Sequence, residues 1–269
     1  MYAGFNLTGL ESDAEIASQY RGLGEEWLAA GRTQVRRKLK ELVLEGTTIP
    51  DGTAIQEEWF PQINADIFIS HSHKDVDLAK GLAGWLGRNF GLRCFIDSTV
   101  WGYADDLLEE INSQYSDKYT NSSGGILYNH QKCIVASKHV DTMLTIALHQ
   151  MIDRCECVFL LNTENSIQRY TDLLHDNTYS PWIYSELVCS RLIRKRPLSD
   201  YRMEALLEHG QQRFDASEYL PSYQVVTKHL APVSASELHR WLAEYRKVHY
   251  KHPLDLLYKL TPTLNVEGL

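Results

Sequence analysis

The stretch that decides the fold reads Asp66-Ile67-Phe68-Ile69-Ser70-His71-Ser72-His73-Lys74-Asp75. Its first half is β-branched and aromatic and its second half is polar, which is typical of a short buried strand that ends in a loop. A pattern of apolar residues three or four positions apart follows from Val76 to Leu86 and predicts a helix that stops at Gly91. A second apolar run, Cys94 to Asp97, ends in a carboxylate. Strand, helix and strand at this spacing predict a βαβ unit, which builds a parallel sheet.

The apolar pattern continues beyond this unit. Val140 to Ile152 predicts a helix, Cys155 to Leu161 a third strand, and Pro181 to Ile193 a helix that begins with proline. We therefore predict an α/β fold with a central, mostly parallel sheet flanked by helices. The other expectations for this region are an irregular stretch over 98–138 that could act as a lid, a strand near 223–226 that completes the sheet, and a closing helix over 238–248.

The N-terminal segment has a different character. Ile16, Tyr20, Leu23 and Trp27 recur at helical intervals, a second helical pattern runs from Val35 to Val43, and the turn Pro50-Asp51-Gly52 follows. We expect residues 1–52 to form an N-terminal helical extension. Residues 53–269 would then form the α/β domain, with its core motifs between 64 and 196.

Composition limits the function. The net charge of −8 argues against a protein that binds nucleic acid through its phosphate backbone, because such a protein presents basic surface. Since the sequence lacks an apolar run of about 20 residues, we expect no membrane span. Met1 to Leu10 does not resemble a secretory signal, and an odd number of cysteines, five, favours reduced thiols. We therefore expect a cytoplasmic protein, and no metal site, since no second Cys/His pair with zinc spacing accompanies Cys155 and Cys157.

Candidate site residues follow the predicted strands, where ligands bind in an open parallel sheet. The first two strands lead into polar or aromatic side chains that could contact a substrate: Ser70, His71, Ser72, Lys74, Asp97 and Trp101. On the helix after the third strand, Trp182 and Glu186 are four positions apart and therefore share one face. Together these residues predict a binding crevice with one carboxylate in it.

Three of these motifs carry a resemblance. Asp66 to Asp75, Cys94 to Asp97, and Ser180 to Leu187 with its Trp-x-x-x-Glu signature, in this order, resemble the TIR domain over roughly 130 of the 269 residues. The resemblance implies a flavodoxin-like TIR fold and an NAD+ glycohydrolase or ADP-ribose cyclase activity. It also implies that Glu186 is the catalytic residue, with NAD as substrate and no further cofactor.

The chain is further similar to bacterial TIR proteins of anti-phage defence, of the Thoeris type. That similarity implies an ADP-ribose-derived, possibly cyclic, signal that acts on a separate effector protein, and self-association through TIR–TIR contacts. Two other functions stay open at this point. One is a non-catalytic TIR scaffold that acts by protein–protein assembly. The other is a phosphoacceptor receiver with Asp97 as acceptor, for which the paired acidic residues after the first strand are missing.

Overall fold

The centre of the molecule is a five-stranded, all-parallel sheet. A computed structural model describes residues 1–30, 39–96, 104–121, 124–168, 176–203, 223–247 and 250–261. The sheet has the order β3-β2-β6-β1-β9. Its strands are β1 (Ala3–Thr8), β2 (Ile67–Ser70), β3 (Cys94–Phe95), β6 (Cys157–Leu161) and β9 (Ala231–Ser234). Two short antiparallel pairs lie outside it, β4 (Lys118–Thr120) with β5 (Ile126–Tyr128), and β7 (Asn177–Thr178) with β8 (Tyr223–Gln224).

Nine α-helices are assigned among the described residues. They are α1 (Arg21–Ala30), α2 (Gly52–Trp59), α3 (Val76–Phe90), α4 (Ala104–Tyr115), α5 (His130–Arg154), α6 (Pro181–Leu192), α7 (Leu198–Met203), α8 (Ala235–Tyr245) and α9 (Pro253–Leu260). Within the described part of the chain, no helix has the length and apolarity needed to span a membrane.

Helices cover both faces of the sheet. Every residue of β2 and of β6 is buried, as expected for parallel strands that are covered on two sides. Phe5 and Phe159 point to one face, where Phe5 lies parallel to Tyr258 of α9. Leu160 points to the opposite face, because side chains alternate along a strand, and there it joins an apolar cluster with α6. The predicted α/β architecture is confirmed.

The N-terminal strand corrects the predicted domain division. Residues 3–8 are not part of a helical extension: β1 pairs with β6 on one side and with β9 on the other. Its sequence, with Gly4 and Asn6 among the apolar residues, has weak strand propensity, so the pairing on both sides decides its conformation. Further along, a π-helical turn (Glu15–Gln19) leads into α1, as predicted. Of the second predicted helical segment, 35–43, residues 35–38 lie outside the described residues, and Leu39–Glu41 form a 3₁₀ helix. The strand at residues 3–8 belongs to the central sheet, so the predicted boundary at residue 52 does not separate it from the α/β domain.

The order of the strands is that of a flavodoxin-like sheet, 2-1-3-4-5, when β2, β3 and β6 are counted as the first three. The N-terminal strand β1 then fills the fourth place, and β9 fills the fifth. The chain thus reaches a familiar spatial order by an unusual connection, since the fourth strand comes before the first in sequence.

Two further predictions were wrong. The stretch 98–138 is not irregular throughout, because Ala104 and Leu107 are buried on the amphipathic helix α4 and the β4–β5 hairpin follows. The predicted strand near 223–226 does not complete the sheet, since β8 pairs with β7 instead. The fifth strand is β9, which contains Pro232. A proline is tolerated there because β9 is an edge strand, which among the described residues pairs only with β1.

Candidate active site at the carboxyl edge of the sheet

The structure joins two of the predicted site residues directly. Ser70, the last residue of β2, donates a hydrogen bond from its Oγ to Oε2 of Glu186 on α6 over 2.6 Å. The two side chains are 1% and 2% exposed, so this contact is closed to bulk solvent. A hydrogen bond in a low-dielectric setting is electrostatically stronger than the same bond in water. The carboxylate predicted from the sequence is therefore held at the end of a central strand.

The position of Glu186 follows from the packing of its helix. Ser180 accepts a hydrogen bond from the Ile183 N–H over 3.2 Å and so begins α6. Ile183 and Leu187 pack into a cluster with Leu160 on the same face of the sheet as Ser70. Since Glu186 lies three positions after Ile183, it shares the buried side of the helix. Apolar packing thus aims the carboxylate at the sheet edge.

Trp182 lies one turn before Glu186 and is half-buried against the main core. Its indole has therefore both a packing role and some exposed surface. The helical spacing predicted that it shares a face with the carboxylate, and the burial of Glu186 beside a half-buried Trp182 agrees with that arrangement.

The loop after β2 is ordered by hydrogen bonds of its own. His71 is buried, and its Nδ1 bonds to the Ile69 carbonyl oxygen over 3.2 Å, so Nδ1 is the protonated nitrogen in this arrangement. Ser72 Oγ accepts from the Lys74 N–H over 3.4 Å and begins a short 3₁₀ turn. The Lys74 side chain is exposed. Of the four residues predicted here, Ser70 contacts the carboxylate, His71 supports the strand end, and the other two form the turn beyond.

Asp75 organises the site, and the sequence analysis did not single it out. Its carboxylate accepts hydrogen bonds from the Thr163 hydroxyl over 2.5 Å, from Asn165 Nδ2 over 2.7 Å and from Ser166 Oγ over 3.3 Å. These donors follow β6, so Asp75 ties the loops after β2 and β6 together. Asp75 occupies the N-cap of α3 without capping it. The sequence signal that could have identified Asp75 is a carboxylate at the start of the helix after β2, together with the Thr-x-Asn-Ser tract that follows β6.

Two titratable groups on or beside α6, the Cys189 thiol and the His149 imidazole, are uncharged at neutral pH. Burial, with the added charge of Glu186, raises the pKa of the Cys189 thiol to about 11. His149 Nε2 lies 2.8 Å from Ser185 Oγ, and burial lowers the pKa of this histidine below its ordinary value. The thiol therefore stays protonated and the imidazole uncharged. Neither of these two groups offers Glu186 an opposite charge. The Cys189 thiol is also not a thiolate nucleophile at neutral pH.

Two predicted residues, Asp97 and Trp101, lie outside the described residues. An apolar cavity of about 620 Å³ lies elsewhere, between α2, α4 and α5, and is lined by Ile55, Ile111 and Met143 among others. None of the predicted site residues lines it. The candidate site is therefore the carboxyl edge of the sheet around Glu186 and not this cavity.

Comparison of the chain with protein-family models, with curated proteins and with solved structures gave no match. The functional interpretation accordingly depends on the geometry at Ser70, Asp75 and Glu186 together with the sequence motifs.

Proposed function

We propose that this protein is a TIR-like enzyme that breaks the bond between nicotinamide and ribose in NAD, with Glu186 as the catalytic carboxylate. The observation that carries the proposal is the buried contact between Ser70 Oγ and Glu186 Oε2 at the carboxyl edge of a parallel sheet. Ligands of such sheets bind at this edge. A carboxylate fixed there, in surroundings that exclude water, is suited to stabilise a positive charge that develops on a substrate.

The proposed reaction has two steps, cleavage of the bond to nicotinamide and attack of a nucleophile on the ribose. The bond between ribose C1′ and the pyridinium nitrogen breaks, and its electron pair leaves with neutral nicotinamide. C1′ acquires oxocarbenium character, which the negative charge of Glu186 stabilises. A water molecule then adds to C1′ and releases a proton, which gives ADP-ribose. If an adenine nitrogen of the same molecule attacks instead, the product is a cyclic ADP-ribose, lighter than ADP-ribose by one water.

Access to the carboxylate is part of the proposal. Because Glu186 is 2% exposed, substrate reaches it only when the crevice opens. A ribose hydroxyl would then take the place of the Ser70 hydroxyl on Oε2. Trp182 provides a half-exposed aromatic face one turn away, against which a planar ring can pack. The substrate-contact roles of His71, Ser72, Lys74, Asp97 and Trp101 belong to the same proposal.

The cellular role that we propose is anti-phage defence in bacteria, in which the product is an ADP-ribose-derived signal for a separate effector protein. Mass spectrometry of the product separates a cyclic product from the linear one. Linear ADP-ribose as the sole product would replace signalling by simple NAD depletion. Cytoplasmic location and self-association through TIR–TIR contacts are part of this proposed role.

The burial of Glu186 favours a second candidate function. A carboxylate that is closed to solvent and bonded to Ser70 also serves to join α6 to the sheet. In that case the protein is a non-catalytic TIR scaffold that acts by protein–protein assembly, and Ser70 and Glu186 contribute stability alone.

One experiment separates the two candidates. The purified protein is incubated with NAD at a concentration similar to its own, and free nicotinamide is measured by chromatography. The same measurement is made in cells that overexpress the protein. We expect nicotinamide release by the wild type and by Glu244→Gln, which alters a half-exposed carboxylate on α8. We expect Glu186→Gln to be inactive although folded. If the wild type releases no more nicotinamide than Glu186→Gln in both settings, the enzyme proposal is wrong and the scaffold is the remaining candidate.

A further inference from the structure

A second group of ionisable side chains lies at the opposite, amino-terminal edge of the sheet. Glu156 directly precedes β6, and its backbone bonds to both neighbouring strands: its N–H donates to the Asp66 carbonyl over 3.0 Å and its carbonyl accepts from the Tyr2 N–H over 2.6 Å. His252 precedes α9, and Asp255 lies in the first turn of that helix. The sheet and the helix thus bring together residues 96 positions apart.

The three side chains converge closely enough to share an ion. One ligand atom from each of Glu156, His252 and Asp255 lies within 4.8 Å of the other two. Glu156 is buried, and the other two are half-buried. The His252 side chain makes no capping hydrogen bond to its helix. The carboxylates of Glu156 and Asp255 and the imidazole of His252 are all groups that bind divalent metal ions, and here they lie at one point.

The surroundings orient the donors and concentrate negative charge. Tyr258, one turn after Asp255, donates a 2.7 Å hydrogen bond to Glu156 Oε1 and fixes the orientation of the carboxylate. Such bonds to a metal-binding carboxylate are a regular feature of metal sites. Two carboxylates and an imidazole thus share one partly desolvated place, where charged groups are usually paired or bound to a metal.

We propose that Glu156, His252 and Asp255 bind one divalent transition-metal ion, with zinc as the first candidate. One imidazole nitrogen and two carboxylates suit zinc or manganese, whereas calcium and magnesium prefer oxygen ligands alone. Donors around tetrahedral zinc lie about 3.3–3.6 Å apart, so small side-chain rotations close the site, and water fills the fourth position. The ion would clamp α9 to the amino edge of the sheet. Sequence spacing pointed to no metal here because the donors come from distant segments.

The test uses the full-length protein, freed of metal by a chelator and titrated with zinc chloride in a calorimeter. We expect one equivalent to bind, and thermal unfolding to shift upward with zinc. His252→Asn keeps a residue suited to an N-cap, and Asp255→Asn keeps the side-chain shape. Each should weaken zinc binding at least tenfold and remove the thermal shift. Circular dichroism without metal shows whether each variant is folded.

The control is His139→Asn, an exposed histidine on α5 about 20 Å along the helix from its end beside Glu156. It should bind zinc as the wild type does. Glu156→Gln gives a third, independent variant, since glutamine can still accept from Tyr258. Cobalt provides a spectroscopic check, because a protein-bound ion in this ligand set absorbs visible light and the variants should lose that absorption. Absence of saturable zinc, cobalt or manganese binding, or equal affinity in the wild type and all three site variants, would overturn the proposal.

Discussion

Phe5 packs edge to face against Phe159, with ring centroids 5.3 Å apart, and lies parallel to Tyr258 at 6.0 Å. The first strand of the chain is thus part of the central core. We predict that Phe5→Ala lowers the free energy of unfolding by about 3–5 kcal/mol in urea denaturation. Leu192→Ala, at a side chain that is 75% exposed, should change it by less than about 0.5 kcal/mol. Equal effects of the two substitutions would contradict the position of β1.

The position of β1 in the sheet predicts how a truncated protein behaves. A chain that starts near Glu57 lacks β1, which leaves one edge of β6 without a partner and removes the strand with which β9 pairs in the described part of the chain. We expect insoluble or unfolded protein, as measured by circular dichroism of the purified fragment. A folded fragment would indicate that the N-terminal segment is an extension that the sheet does not need, and it would contradict the position of β1.

Close contact between α3 and the N-terminal π-helical turn gives a third prediction. A β-carbon on Gly81 would overlap the carbonyl oxygen of Ile16. We expect Gly81→Ala to destabilise the protein by about 1–3 kcal/mol, since packed backbone cannot move apart without strain. Gly22→Ala, on α1 where nothing lies within 4 Å, should instead stabilise it by up to about 1 kcal/mol. Thermal unfolding of both variants is the measurement, and the same sign for both would count against this packing.

The bond between Ser70 and Glu186 is best tested by a double-mutant cycle. Glu186→Gln should lower nicotinamide release about 100- to 1,000-fold. Ser70→Ala should lower it less and destabilise the fold by about 1–3 kcal/mol, because a buried carboxylate loses a donor. The double variant should be no slower than Glu186→Gln alone, as expected for residues that act as a unit. Additive losses in rate would show that the two residues act separately.

Asp75 should contribute to stability because three side chains donate hydrogen bonds to its carboxylate. Asp75→Ala leaves three polar side chains without their acceptor, and we expect a loss of about 3 kcal/mol in the free energy of unfolding. Asp75→Asn keeps one acceptor oxygen and should lose roughly half as much. Asp77→Asn is the matched control, two positions on, at a half-exposed ion pair with Arg21, and should cost less than about 1 kcal/mol. Comparable losses for Asp75→Ala and Asp77→Asn would remove Asp75 from its organising role.

Burial gives the fold a specific pH dependence. It lowers the pKa of His149 and of His229 below the ordinary value of 6.5. The unfolded chain therefore binds protons at a higher pH than the folded one, so stability is full above pH 6.5 and falls as the pH drops below it. Urea denaturation between pH 7.5 and about 5.5 should show this decline. His149→Gln should flatten it, whereas His139→Gln, at an exposed position, should leave the slope unchanged. A decline that is identical in the two variants would argue against His149.

The sequence by itself determined the elements whose period is strong and local. The sequence predicted the strands β2 and β6 and the helices α3 and α6. A strand that is buried on both faces has a continuous apolar run, and an amphipathic helix has apolar residues three or four positions apart, so both patterns can be recognised within a short stretch of sequence. The i, i+4 spacing of Trp182 and Glu186 likewise predicted that the two side chains share one face of a helix, and both lie on α6.

Tertiary structure alone decided what depends on distant pairing. β1 is a strand because β6 and β9 lie on either side of it, and β9 accepts Pro232 because it is an edge. Ser70 meets Glu186 across 116 positions, and Asp75 meets Thr163 across 88. Side-chain pattern within a short window carries no information about which strands become neighbours. Strand propensity is weak enough for those neighbours to override it, so the order of the sheet and the contacts at its edges are properties of the folded chain.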